Sequence, residues 1–124
     1  MIKSKGYKRI KCKDGFSMSV QASKRNYCEP RLDNAVEYSK VEVGFPSAEE
    51  SLLNPYMDGS VMGPKAAVYG YVPSHVVLLV CAKHGGVIEG ELPPGIPFIN
   101  AYKTKSIDCS RFIINLVIDG LVIV

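Results

Sequence analysis

Three stretches of the chain carry side chains able to do chemistry. The first is Lys24-Arg25-Asn26-Tyr27-Cys28-Glu29-Pro30-Arg31, where three cations and a tyrosine fall within eight residues. Cationic side chains hold phosphate and a phenol ring stacks on aromatic ligands, so the segment has the parts of a site for an anion that carries a ring. A connection with incidental charge is the plainer alternative. The second is Val68-Tyr-Gly-Tyr-Val72. On a strand, Tyr69 and Tyr71 share the face opposite Val68 and Val72 and stand side by side, placed either to sandwich a base or to fill a core. The third is Cys81-x-x-His84, a spacing that shares one helical face. It is two ligands short of a metal site. As a nucleophile and base it lacks a third group nearby in sequence to orient the imidazole, so a packed thiol beside a helix-end histidine is the simpler reading.

Cys12, Cys28, Cys81 and Cys109 are widely scattered with no C-x-x-C pair, which argues for isolated reduced thiols. Gly59-x-x-x-Gly63-Pro-Lys65 is one residue short of a phosphate loop, lacks the closing Ser/Thr and opens no helix. No nucleophile–base–orienter set or metal cluster emerges, so the expectation is a protein that is not an enzyme and uses no cofactor or metal.

With 124 residues and 47% apolar side chains, the chain suits a single domain over 1–124. No apolar run reaches the roughly 18–20 residues that span a bilayer, and the basic opening runs into Asp14-Gly15 instead of a signal sequence. The expected location is therefore cytoplasmic, without membrane. The net charge of +3 hides an imbalance: residues 1–31 hold nine basic and two acidic side chains, and the rest six and ten. A basic face of this kind attracts phosphate-bearing partners or complements the acidic half of a second copy. Nucleic acid is the weaker candidate, since the overall charge is modest and no basic recognition helix is present.

The elements that must position these groups follow from periodicity. Asp14-Gly15 signals a type I′ hairpin turn, with Ile10 and Cys12 before it and Phe16, Met18, Val20 and Ala22 after it alternating with Lys, Ser and Gln. Residues 38–45 alternate again, with Val41, Val43 and Phe45 inward and Lys40, Glu42 and Gly44 outward, until Pro46. Residues 46–66 form a long loop with one possible helical turn over 48–53. Pro73 opens a helix over about 73–84 that Lys83, His84 and Gly85 close, and its apolar circumference implies burial on more than one side. The Gly- and Pro-rich stretch from Gly85 to Pro97 is irregular. The run from Phe112 to Val124 forms a second hairpin at Asp119-Gly120, apolar on both faces and so in need of cover. The architecture expected is α+β: a mainly antiparallel sheet of about five or six strands with one principal helix, assembled as a homo-oligomer.

Asp14-Gly-Phe-Ser-Met-Ser-Val-Gln-Ala22, Tyr27-Cys-Glu-Pro-Arg31, Tyr38 with Val41-Glu-Val-Gly-Phe-Pro46, Val68-Tyr-Gly-Tyr-Val-Pro73, and Lys83-His-Gly-Gly86 with Gly90-Glu-Leu-Pro-Pro-Gly95 together resemble a family of short phage and prophage proteins. The match covers roughly residues 8–97, and the tail after Pro97 departs from it. The resemblance implies a phage-borne accessory protein and transfers no site residue. Such proteins often antagonise host immunity: Thoeris anti-defence proteins sequester cyclic nucleotide signals in oligomers, and anti-CRISPR proteins bind a host effector directly. The chain is similar to both groups in size and β-rich make-up, an analogy at the level of architecture.

The expectation is therefore a non-enzymatic phage protein, acting in the host cytoplasm, that sequesters a phosphate-bearing cyclic nucleotide at an oligomer interface. Its site residues are Lys24, Arg25, Tyr27, Arg31, Tyr69 and Tyr71, displayed around one shared hollow. The alternative is an anti-CRISPR-like inhibitor that binds a host defence protein directly.

Overall fold

The computed structural model describes residues 6–58 and 66–96. They form five strands, β1 (Ile10–Cys12), β2 (Ser17–Gln21), β3 (Lys40–Gly44), β4 (Val68–Pro73) and β5 (Val87–Glu89), one α-helix, α1 (Ser74–Lys83), and a 3-10 helix (Ser51–Tyr56). The strands pair antiparallel throughout in the order β4-β3-β2-β1-β5. This is an α+β arrangement with five strands and one main helix. The fifth strand comes from the Gly85–Pro97 segment expected to be irregular. The apolar hairpin expected over 112–124, Cys109 and the stretch 59–65 lie outside the described residues.

Alternation decides which face of the sheet is buried. Ile10, Cys12, Phe16, Met18, Val20, Ala22, Val41 and Val43 all enter the core, where they meet Val76, Val77, Val80 and Cys81 of α1 and Leu53 of the 3-10 helix. Ser17, Ser19 and Gln21 fall on the opposite, partly wet face, where Gln21 exchanges hydrogen bonds with both backbone groups of Tyr7. Among the described residues the sheet covers one side of α1, and Leu79 on another side is 51% exposed. Its end follows a Schellman pattern, with Gly86 N–H donating to Cys81 O at 2.9 Å and Gly85 N–H to Ala82 O at 3.1 Å.

Three local readings are corrected. The β1–β2 loop is a three-residue turn with a bulge: Gly15 alone takes a positive φ, +98°, while Gly15 N–H donates to Cys12 O at 2.9 Å and Cys12 N–H to Phe16 O at 2.7 Å. Phe45 points outward, 53% exposed, because its backbone turns left-handed at φ +50° and Pro46 takes the buried place after it. In β4, Val41 pairs with Val72 and Val43 with Tyr69, so two residues, Gly70 and Tyr71, oppose the single Glu42. That β-bulge resets the alternation and sends both Tyr69 and Val72 into the core.

Gly90 ends β5 at φ +106°, and a Cβ there would collide with the Arg9 carbonyl oxygen and the Ile10 Cα of β1. A Cβ at Gly15 meets nothing within 4 Å. Gly15→Ala should therefore lose about 1 kcal/mol from left-handed strain alone, and Gly90→Ala about 2–5 kcal/mol from strain plus overpacking. Urea midpoints of the two variants check this, and equal losses would contradict the close approach of Gly90 to β1.

Candidate functional site

The bulge in β4 builds the most distinctive surface feature. Tyr71 sits at φ +51°, a region where bulky residues are rare, and its N–H leaves the strand ladder to donate to Tyr27 O at 3.0 Å. Glu42, the residue opposite the bulge, accepts Tyr27 N–H at 2.8 Å and Asn26 Nδ2 at 3.2 Å through one carboxylate oxygen. Gly70 lets the Tyr27 side chain lie across β4, since a Cβ there would fall 3.2 Å from Tyr27 Cβ. The result is a stacked pair, Tyr27 on Tyr71, with ring centroids 5.8 Å apart and planes 20° from parallel. The Arg31 guanidinium lies 5.4 Å from the Tyr27 ring centroid. Both rings stay substantially open, at 42% and 43% exposure.

These two tyrosines form one side of a hollow of about 450 Å³, whose other side is Pro55, Tyr56, Met57 and Asp58 at the end of the 3-10 helix. That second wall is fastened at both ends. Met57 bridges to Tyr69, and Asp58 N–H donates to Val68 O at 2.7 Å. At the other end Glu50 accepts Leu52 N–H at 3.0 Å and caps the first turn.

The six expected site residues do not share one hollow. Tyr27, Tyr71 and Arg31 come together as described. Lys24 and Arg25 line a different hollow, of about 480 Å³, with Tyr7, Gln21, Asp33 and Asn34. Tyr69 is fully buried and raised in pKa by desolvation, then by Glu49. The expected Tyr69–Tyr71 sandwich therefore does not form. Tyr27 replaces Tyr69 as the partner of Tyr71, and at 5.8 Å the two rings already touch, so a planar ligand stacks outside the pair and not between its members.

A second cluster was not foreseen. The Glu50 carboxylate is 1% exposed, the one buried charged side chain among the described residues. Its Oε1 lies 2.7 Å from His84 Nε2, and its Oε2 is 2.9 Å from Lys83 Nζ. His84 Nδ1 lies 2.6 Å from Asp14 Oδ2, and the imidazole stacks on Phe16 with centroids 4.0 Å apart. With a carboxylate on each nitrogen, the ring satisfies both contacts only as imidazolium. Burial pulls the His84 pKa down, but the hydrogen bonds to Glu50 and Asp14 outweigh it and leave it above the ordinary 6.5. Burial pushes Glu50 up, and Lys83, the Leu52 N–H and His84 together bring it below 4.5. Asp14 falls below 3.8, its slight desolvation outweighed by the Phe16 N–H and by His84.

This cluster disposes of the Cys81–His84 pair as a nucleophile and base, because neither imidazole nitrogen is left for the thiol. Cys81 is buried, and the neighbouring Cys12 thiol together with that burial pushes its pKa up. No set of three or more metal-ligating side chains gathers among the described residues. Nor does any helix there have the length and apolarity to cross a membrane. Comparison with protein-family models, curated proteins and solved structures finds no match.

The signs of the three shifts fix a pH profile. The raised His84 contributes stability fully below pH 6.5 and loses it as pH rises through its folded value. The lowered Glu50 and Asp14 contribute above about 4.5 and 3.8 and lose it as pH falls through their folded values. Urea midpoints should therefore be highest between about pH 4.5 and 6.5 and decline on the alkaline side. His84→Gln should lose about 1–3 kcal/mol near pH 6 and flatten that alkaline decline. A wild-type midpoint that does not fall above pH 6.5 contradicts the bracketed imidazolium.

Proposed function

We propose that this chain is a non-catalytic binding protein that captures a phosphate-bearing nucleotide, with the base stacked against the Tyr27–Tyr71 pair and the phosphate turned to Arg31. The observation that carries this reading is Tyr71. A tyrosine held left-handed at φ +51° is strained by about 1–3 kcal/mol, and here that strain is offset to present an aromatic ring to solvent beside a guanidinium. A core role would have left the ring inside, as it leaves Tyr69. Stacking accepts any base, and the cation supplies attraction for the phosphate. Lys24 and Arg25 on the adjoining hollow add positive potential that draws anions to this end of the molecule.

The resemblance to phage accessory proteins gives this binding its setting: sequestration of a cyclic nucleotide signal of host defence by a homo-oligomer in the host cytoplasm. Capture needs no reaction. A second reading, direct docking on a host defence protein, is favoured by Leu32 and Val36, apolar side chains exposed in the loop after Arg31.

Thermal shift of the purified chain against mononucleotides, cyclic mononucleotides and cyclic dinucleotides tests the first reading. A ligand at 100 times its dissociation constant stabilises by about 2.7 kcal/mol. Tyr71→Asn places a residue that tolerates the left-handed backbone, so its stability should stay within about 1 kcal/mol of wild type while affinity drops by about 1–3 kcal/mol of lost stacking. No shift with any nucleotide, together with co-purification of a host protein lost on Val36→Asp, would favour the second reading.

A further inference from the structure

We infer that Asp58 selects the base, and that the ligand class of the Tyr27–Tyr71 hollow is a guanine nucleotide. This rests on the binding function proposed above. Asp58 is the one charged side chain lining that hollow, otherwise walled by tyrosines, Met57, Pro55 and Gly70. Its backbone is pinned to β4 by the 2.7 Å hydrogen bond to Val68 O, so the residue stands at a fixed place beside the stacking pair. Asp58 is exposed, and its hydrogen bond to β4 is made by the backbone N–H, not by the carboxylate.

A carboxylate accepts hydrogen bonds and donates none. A base stacked on the tyrosines and turned edge-on to Asp58 must therefore offer donors. Guanine offers two side by side, N1–H and the N2 amino group, matched to the two carboxylate oxygens. Adenine and cytosine each present an amino group beside a bare ring nitrogen, whose lone pair would face a carboxylate oxygen. Uracil presents one N–H between two carbonyls. The guanine edge is the one that leaves neither carboxylate oxygen opposed by a lone pair, and a mispaired polar contact is where base discrimination arises.

Charge sets the orientation as well. Asp58 repels a phosphate at its own end of the hollow, while Arg31 beside Tyr27 attracts one. The base edge and the phosphate are thus drawn to different groups, the edge to Asp58 and the phosphate to Arg31.

Equilibrium binding of GMP, IMP and AMP to the full chain and to Asp58→Asn tests this, with circular dichroism showing that the variant is folded. Wild type should prefer GMP over AMP by roughly 10-fold or more, the discrimination of a good bidentate contact, with IMP, which lacks the N2 amino group, between them. Asp58→Asn should lose that preference while still binding through the tyrosines. Equal affinity of wild type for GMP and AMP, or a preference unchanged in Asp58→Asn, overturns base selection and leaves the binding function standing. Absence of binding by all three overturns base selection, and the binding function falls with it only if the cyclic mono- and dinucleotides also fail to bind.

Discussion

A carboxylate in a protein interior must be compensated, and Glu50 is compensated from three directions. The Lys83 ammonium, the His84 imidazolium and the Leu52 N–H all converge on its two oxygens. Removing one partner from such a group leaves charge without solvent, a loss far larger than that of any surface ion pair. The three partners come from the end of α1 and the start of the 3-10 helix, and His84 passes the link on to Asp14 in the β1–β2 turn. One buried charge thus registers three separated segments of chain.

That registration matters because the 3-10 helix is the far wall of the tyrosine hollow. Its start is held by Glu50, and the chain just past its end is held by Val68 and Tyr69 of β4. The near wall depends on a different device, the bulge at Gly70 and Tyr71 opposite Glu42. Glu42 then anchors the Tyr27 backbone, so the same residue that marks the bulge also places the second ring. Core packing, a capped 3-10 helix and a strained strand meet at this one surface.

Much of the sheet was legible in the sequence because a strand with one wet face must alternate. Phe16, Met18, Val20 and Ala22 are all buried, as their period of two requires. The Lys83-His84-Gly85 ending also places the end of α1, since a left-handed glycine is the common way to stop a helix. The errors came where one residue breaks the period. The extra residue in β4 turned Tyr69 inward, and left-handed Phe45 exchanged places with its neighbours. Gly70 is the trace of the first in the sequence, because a glycine inside a strand marks a bulge or a close approach. The partners of His84 had no such trace: Asp14 and Glu50 are 70 and 34 residues away, and only the folded chain brings them to one ring. The loop 24–31 was singled out as one unit, and charge density alone could not divide it between two hollows.

The central claim is that the Tyr27–Tyr71 pair is a platform for a planar ligand. Ring-proton NMR of the seven tyrosines during titration with guanosine monophosphate examines it most directly. Ring currents of a stacked base should move the Tyr27 and Tyr71 signals together and leave the buried Tyr38 and Tyr69 in place. Saturation of binding with Tyr27 and Tyr71 unmoved, while signals beside Lys24 and Arg25 shift, would contradict the account.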